Sequence, residues 1–140
     1  MDQKDIQSTV EKILQESSVG TMATIKEDKP HSRYMTFYHE GMKLYTPTSK
    51  DTDKIDELEA NPYTHILIGY EGEGFGDDYV EYQGKVSLND SEEMRSRLWT
   101  HDMEMYLEGP HDPNFIVLEI EPVAVRLMNK TGQPPQELEL

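Results

Sequence analysis

The side chains best suited to chemistry fall in one stretch, from His31 to Lys54. Arg33 puts a guanidinium on a run of β character, and Tyr45-Thr46 put two hydroxyls at the end of the next run. Ser49-Lys50-Asp51-Thr52-Asp53-Lys54 then leads into a helix start. Guanidinium, hydroxyl and ammonium groups beside the unpaired N–H groups at the positive end of a helix dipole are the parts of a phosphate site. A turn with ordinary capping and surface lysines uses the same residue types, so this stretch alone leaves both readings open.

Other chemistries find less support. The chain has no cysteine, which removes disulfides, thiolate metal sites and a cysteine nucleophile. No G-x-S-x-G occurs, and no Ser, His and Asp group stands out by spacing. His31, His39, His65, His101 and His111 never fall at a tight ligand spacing, so no metal site is assigned. Gly72-Glu73-Gly74-Phe75-Gly76 resembles a nucleotide loop in composition. It leads into a strand rather than a helix, however, and is flanked by Glu71, Asp77 and Asp78, which makes it a hairpin loop. With 28 acidic against 13 basic side chains the net charge is −15, the wrong sign for displacing counterions from nucleic acid. No run of 18 apolar residues and no export signal at the N-terminus is visible, so the expectation is a soluble, cytoplasmic protein with no nucleic-acid or membrane partner.

The elements that must position these groups follow from periodicity. Ile6, Val10, Ile13 and Leu14 fall on one face of a helix expected over residues 3–18. Short β-type runs follow at Val19 to Ile25, His31 to His39 and Met42 to Thr46, with breaks that suit antiparallel hairpins. A second helix is expected from about Thr52 to Ala60, stopped by Asn61-Pro62. Tyr63 to Tyr70 and Tyr79 to Leu88 read as further strands, the latter bent at Gly84. Asp90-Ser91-Glu92-Glu93 starts a third helix with Met94, Leu98 and Trp99 as its buried side, and a further turn carries Met103, Tyr106 and Leu107. Phe115 to Ile120 and Val123 to Met128 close the fold as one or two strands around Pro122.

The expected fold class is α+β, a mostly antiparallel, six- to seven-stranded split β-barrel with inserted helices, since a barrel hides so many strand edges. It forms a single domain over residues 1–130, with residues 131–140 as a loose tail. The exposed flank of such a barrel suits a homodimer contact.

The order of several segments carries a resemblance. Gly20-Thr21-Met22-Ala23-Thr24, Pro30-His31-Ser32-Arg33-Tyr34-Met35, Leu44-Tyr45-Thr46, Thr52-Asp53-Lys54-Ile55, Asn61-Pro62 and Tyr82-Gln83-Gly84-Lys85-Val86 succeed one another as in the pyridoxamine 5′-phosphate oxidase-like, FMN-binding split-barrel proteins. The sequence most resembles their general stress protein branch. The resemblance implies a dimeric split barrel with FMN in grooves between the subunits. It places Arg33, Tyr34, Met35 and Thr36 along the flavin, with Arg33 reaching toward the phosphate. Tyr45 and Thr46 would flank the ribityl-phosphate, Thr52 and Lys54 match the family's phosphate-binding S-x-K pattern, and Tyr79 would touch the flavin of the other subunit. Met128 stands near where family members often place a tryptophan. Asp51 and Asp53 would oppose a phosphate if turned inward.

The function these features imply is an FMN-dependent oxidoreductase with no catalytic side chain assigned, in which FMN carries the redox chemistry. Its alternative is a non-catalytic stress protein or sensor for a flavin, deazaflavin or haem.

Overall fold

A computed structural model of the chain describes residues 1–74 and 77–140. Its elements in chain order are α1 (Gln3–Glu16), β1 (Val19–Lys26), β2 (Lys29–Thr36), β3 (Tyr38–Glu40), β4 (Lys43–Ser49) and α2 (Asp53–Ala60). They continue with β5 (Tyr63–Ile68), β6 (Tyr79–Asn89), α3 (Glu92–Leu98), a 3₁₀ turn (His101–Met105), β7 (Phe115–Met128) and β8 (Gln136–Leu138). Among the described residues, no helix is long and apolar enough to cross a membrane. Of the glycine-rich loop between β5 and β6, Phe75 and Gly76 lie outside the described residues. The neighbouring Asp77 carboxylate accepts the N–H groups of Glu71 and Glu73 at 3.0 and 2.9 Å.

Among the described residues, eight strands form one antiparallel sheet in the order β2-β1-β5-β6-β7-β4-β3, with β8 added to β7. The two ends of that order, β2 and β3, are consecutive in sequence and separated only by Phe37. One bent segment therefore supplies both edges and draws the sheet toward a barrel. The sequence pattern predicts one strand from His31 to His39. Phe37 breaks it because its side chain is buried in the core while its N–H bonds Ser18 O at 2.6 Å. Before the break β2 pairs with β1, and after it β3 pairs with β4.

The expectation of six or seven strands becomes eight for a second reason. The tail read as loose folds back, and β8 pairs with β7 through Val125↔Leu138 and Leu127↔Gln136. Leu138 is buried in the main core, and Glu139 N donates to Gln3 Oε1 at 2.7 Å. A single apolar side chain and an open sheet edge suffice to dock it. Pro122 does not divide β7, which runs unbroken for 14 residues. Its missing N–H is absorbed at a register shift between Gln83 and Gly84, where Gly84 faces Pro122. A Cβ on Gly84 would lie 2.4 Å from Ile120 Cγ2, so the bulge needs glycine there.

Two cores result. α1 fills the larger one with Ile6, Val10, Ile13 and Leu14, set against Met22, Ile66, Tyr82 and Leu118 from the sheet. The Tyr82 hydroxyl sits between two carbonyls, 2.6 Å from Met42 O and 3.0 Å from Ile120 O, so a buried phenol stays satisfied. A smaller core holds Tyr45, Met103, Leu107, Phe115 and Val117, covered by Met94, Leu98 and Trp99 of the α3 region. Through it the 3₁₀ turn is pinned beside the outer ends of β2 and β4, facing α2.

Candidate functional site

Two grooves meet on this side of the barrel. The narrower, about 350 Å³, lies between β2, β4, the first turn of α2 and the 3₁₀ turn. Its wall includes Tyr34, Met35, Thr36, Thr48, Lys54 and Tyr106. The wider, about 810 Å³, lies over β1, β5 and β6 and shares Val19 and Tyr34 with the first.

Lys54 is the electrostatic centre of the narrow groove. It is the second residue of α2, and it is only 8% exposed because Ile55 and Leu58 anchor that face of the helix in the core. Burial, and next the nearby Arg33 charge, hold its ammonium below the usual lysine range, against the opposing pull of Glu57 and Asp53. No carboxylate makes an ion pair or hydrogen bond with it among the described residues. A desolvated cation that makes no ion pair is costly for the empty fold and favourable for an anion. Thr52, the N-cap, makes no side-chain cap bond; its hydroxyl donates to Ser49 O at 3.0 Å instead. The first-turn N–H groups are thus left uncapped by that side chain beside Lys54. Asp51, Asp53 and Asp56 are exposed and so do not occupy the buried face that carries Lys54. One carboxylate, Asp102 from the 3₁₀ turn, does line the groove.

Arg33 is placed differently from the expectation that it reaches a phosphate. Its guanidinium donates to Thr24 Oγ1 at 2.7 Å and Met22 O at 3.3 Å, and approaches Glu57 Oε2 at 3.5 Å. Glu57, one turn after Lys54 on α2, is buried and also accepts from Thr24 at 3.1 Å and His31 Nδ1 at 2.8 Å. A carboxylate can only accept, so Nδ1 carries the proton toward Glu57, and the 3.0 Å contact between that nitrogen and Arg33 is not a hydrogen bond. Burial alone would raise the Glu57 carboxyl. The hydrogen bonds from His31 and Thr24 and the charge of Arg33 outweigh it and hold the carboxyl below its ordinary range. Arg33 therefore clamps α2 to β1 and β2 and does not line the groove.

The remaining expected residues separate into wall and support. Tyr34, Met35 and Thr36 line the groove. Thr46 is fully buried and donates to Thr36 O at 2.7 Å, fixing the groove-side backbone from behind. Tyr45 is 4% exposed in the smaller core, with the Lys43 ammonium and Arg97 guanidinium each 5.4 Å from its ring. Tyr79 belongs to the wide groove, where its ring meets Tyr70 edge-on at 5.8 Å. Sequence reasoning missed Tyr38, Thr48, Thr100 and Asp102 as groove residues. The Met103, Tyr106 and Leu107 spacing did mark a buried turn there, and the polar side of that turn was the available signal. Burial, and then Tyr38, push the phenol of Tyr106, another groove residue, up.

Comparison with known proteins places this geometry among relatives. The profile of the pyridoxamine 5′-phosphate oxidase family matches residues 6–129. General stress protein 26 of Bacillus subtilis (strain 168) is 50% identical over 140 residues, covering all of both chains. The crystal structure of general stress protein 26 from Bacillus anthracis strain Sterne is 30% identical, covers 96% of this chain and 98% of that one, and superposes with a TM-score of 0.85. Two distant structures share the fold alone. A pyridoxamine 5′-phosphate oxidase-related, FMN binding protein from Nostoc punctiforme PCC 73102 has a TM-score of 0.70 at 16% identity, covering 94% and 88% of the two chains. A heme binding protein from Mycobacterium smegmatis has a TM-score of 0.72 at 19% identity, covering 89% of this chain and 54% of that one.

Proposed function

The chain belongs to the pyridoxamine 5′-phosphate oxidase family, and on that premise we propose that it binds FMN and acts as a flavin-dependent oxidoreductase. Lys54 carries the reading: a buried ammonium that makes no ion pair among the described residues, at the start of α2, on a groove also lined by Thr36, Thr48 and Thr100. A phosphate monoester supplies charge and acceptor oxygens to Lys54, which makes no ion pair with the one carboxylate on this wall, Asp102. The wall of Tyr34, Met35 and Thr36 then guides the rest of the ligand along β2 toward Val19 and the wide groove. Thr46 holds that wall in place and the Glu57 clamp holds the helix. Bound FMN supplies hydride and single-electron transfer, while the protein supplies orientation and exclusion of water.

Haem fits the same surfaces less well. No histidine lines either groove among the described residues, so the usual axial imidazole is missing.

A homodimer belongs to the same proposal. Tyr34, Tyr63 and Val123 are 79%, 56% and 51% exposed, apolar surface that a second copy would cover. Sedimentation as a monomer at micromolar concentration would remove that part. For the activity, bound FMN is reduced without oxygen and its reoxidation by an added organic acceptor is timed against free FMN. Faster reoxidation on the protein supports an oxidoreductase, whereas an unchanged rate leaves a protein that only sequesters or senses the flavin.

A further inference from the structure

The polar side chains of the narrow groove differ in which half of a hydrogen bond they can supply. Lys54 only donates and an ionised carboxylate only accepts, while the hydroxyls of Thr36, Tyr38, Thr48 and Thr100 do either. Asp102 is the one carboxylate on that wall among the described residues. It stands on the 3₁₀ turn, across from the first turn of α2. The charges that shift the Lys54 ammonium are those of Arg33, Glu57 and Asp53. Asp102 is not one of them, so the groove keeps its cation and its carboxylate apart.

The turn fixes where that carboxylate stands. Met103 N donates to Thr100 O at 3.1 Å and Leu107 N to Met103 O at 2.9 Å, while the Met103 and Leu107 side chains are buried in the smaller core. Glu104, the next acid of the turn, meets His101 Nδ1 at 3.2 Å. Asp102 has no such partner among the described residues and stays an open acceptor on the groove. A ligand that fills the groove must therefore turn acceptor oxygens to Lys54 and donors to Asp102. A second anionic group at Asp102 meets like charge. An apolar chain there strips water from a carboxylate and returns no hydrogen bond.

We propose that Asp102 is a specificity-determining residue: it accepts the hydroxyls that follow the phosphate along the ligand's chain, and so selects polyol phosphates over alkyl phosphates. The inference rests on the phosphate reading of Lys54 and deepens it by naming the chemistry next to the phosphate. The ribityl chain of FMN carries hydroxyls at that place. Thr48 and Thr100, on the same wall, meet such hydroxyls as donors or acceptors.

The test uses the flavin-free full chain in phosphorus NMR titrations with two probes, ribitol 5-phosphate and pentyl phosphate. Both have a five-carbon chain and a terminal phosphate; only the first carries hydroxyls. Asp102→Ala weakens ribitol 5-phosphate roughly tenfold, the loss of one hydrogen bond to a charged group, and leaves pentyl phosphate unchanged or tighter. Asp102→Asn, which keeps the shape and one acceptor oxygen, falls between. Glu104→Ala removes a neighbouring charge of the same turn and changes neither probe. Equal weakening of both probes by Asp102→Ala marks a role in shape alone and overturns the proposal. So does ribitol 5-phosphate binding that Asp102→Ala leaves intact, a Glu104→Ala variant that behaves like Asp102→Ala, or wild type that binds neither probe. FMN uptake is measured on the same samples. The full pattern in protein that takes up no FMN keeps the role of Asp102 and removes the flavin reading; FMN uptake without the pattern removes the role of Asp102 alone.

Discussion

Replacing Lys54 with methionine should move stability and ligand affinity in opposite directions. Methionine keeps an unbranched apolar stem of similar reach and deletes the ammonium. In the empty protein that ammonium is desolvated and makes no ion pair among the described residues. Its folded pKa lies below its value in the unfolded chain, so the penalty on folding is complete at neutral pH. It fades only as pH rises through the folded pKa toward 10.5. Removing it should stabilise flavin-free protein on the order of 1 kcal/mol, the low end of the cost of burying an unsatisfied polar group. For a domain of this size that is a rise of about 4 °C in Tm. The same change removes a charge-assisted contact to phosphate worth roughly 1.5–3 kcal/mol, which weakens FMN about 10- to 100-fold at 1.4 kcal/mol per decade. Thermal melts of flavin-free protein across pH 7 to 10, with FMN titrations at fixed ionic strength, measure both. The melting difference between variant and wild type should shrink toward the alkaline end. A variant that melts below wild type at neutral pH, or takes up FMN equally well, would refute the reasoning.

Further expectations concern the clamp and the tail. Glu57→Gln should flatten the acid limb of stability. The depressed Glu57 carboxyl stabilises the fold above its unfolded value near 4.5 and loses that contribution as pH falls through the lower folded value; urea titrations between pH 3 and 7 that show an unchanged limb would count against the clamp. Arg33→Ala should lower stability by about 3 kcal/mol, since it leaves the buried Glu57 short of a cation, and chemical denaturation showing no loss would return Arg33 to the ligand. Deleting residues 136–140 should cost about 2 kcal/mol through loss of the buried Leu138 side chain, with the midpoint in urea as the readout.

Much of the fold was legible because each element satisfies its own period. Ile6, Val10, Ile13 and Leu14 mark α1 whatever lies around them, and Asn61-Pro62 stops α2 locally. What escaped was decided at long range. Nothing in the composition of Tyr34 to His39 announces a break, because Phe37 has strand character; the bend exists because the two sheet edges must come together. β8 carries one buried side chain, too little to raise a periodic signal. At the site, the Lys54 position followed from the helix start, and Tyr34 to Thr36 from their strand. The Arg33 ion pair was not legible because residue type does not reveal competition: its partner Glu57 lies 24 positions away, on a helix whose docking angle the sequence does not display. Alternation along β2 offered a hint, since Arg33 and Met35 are partly covered while Tyr34 and Thr36 are exposed.

The central claim is that a phosphate completes the Lys54 groove, and riboflavin, which is FMN without its phosphate, tests it most directly. Dissociation constants for FMN and riboflavin are measured with wild-type protein and with Lys54→Met. In wild type FMN should bind at least tenfold tighter than riboflavin, and in the variant that ratio should fall close to one because riboflavin loses little. Equal binding of the two flavins by wild type, or a preference for FMN that survives in the variant, would contradict it.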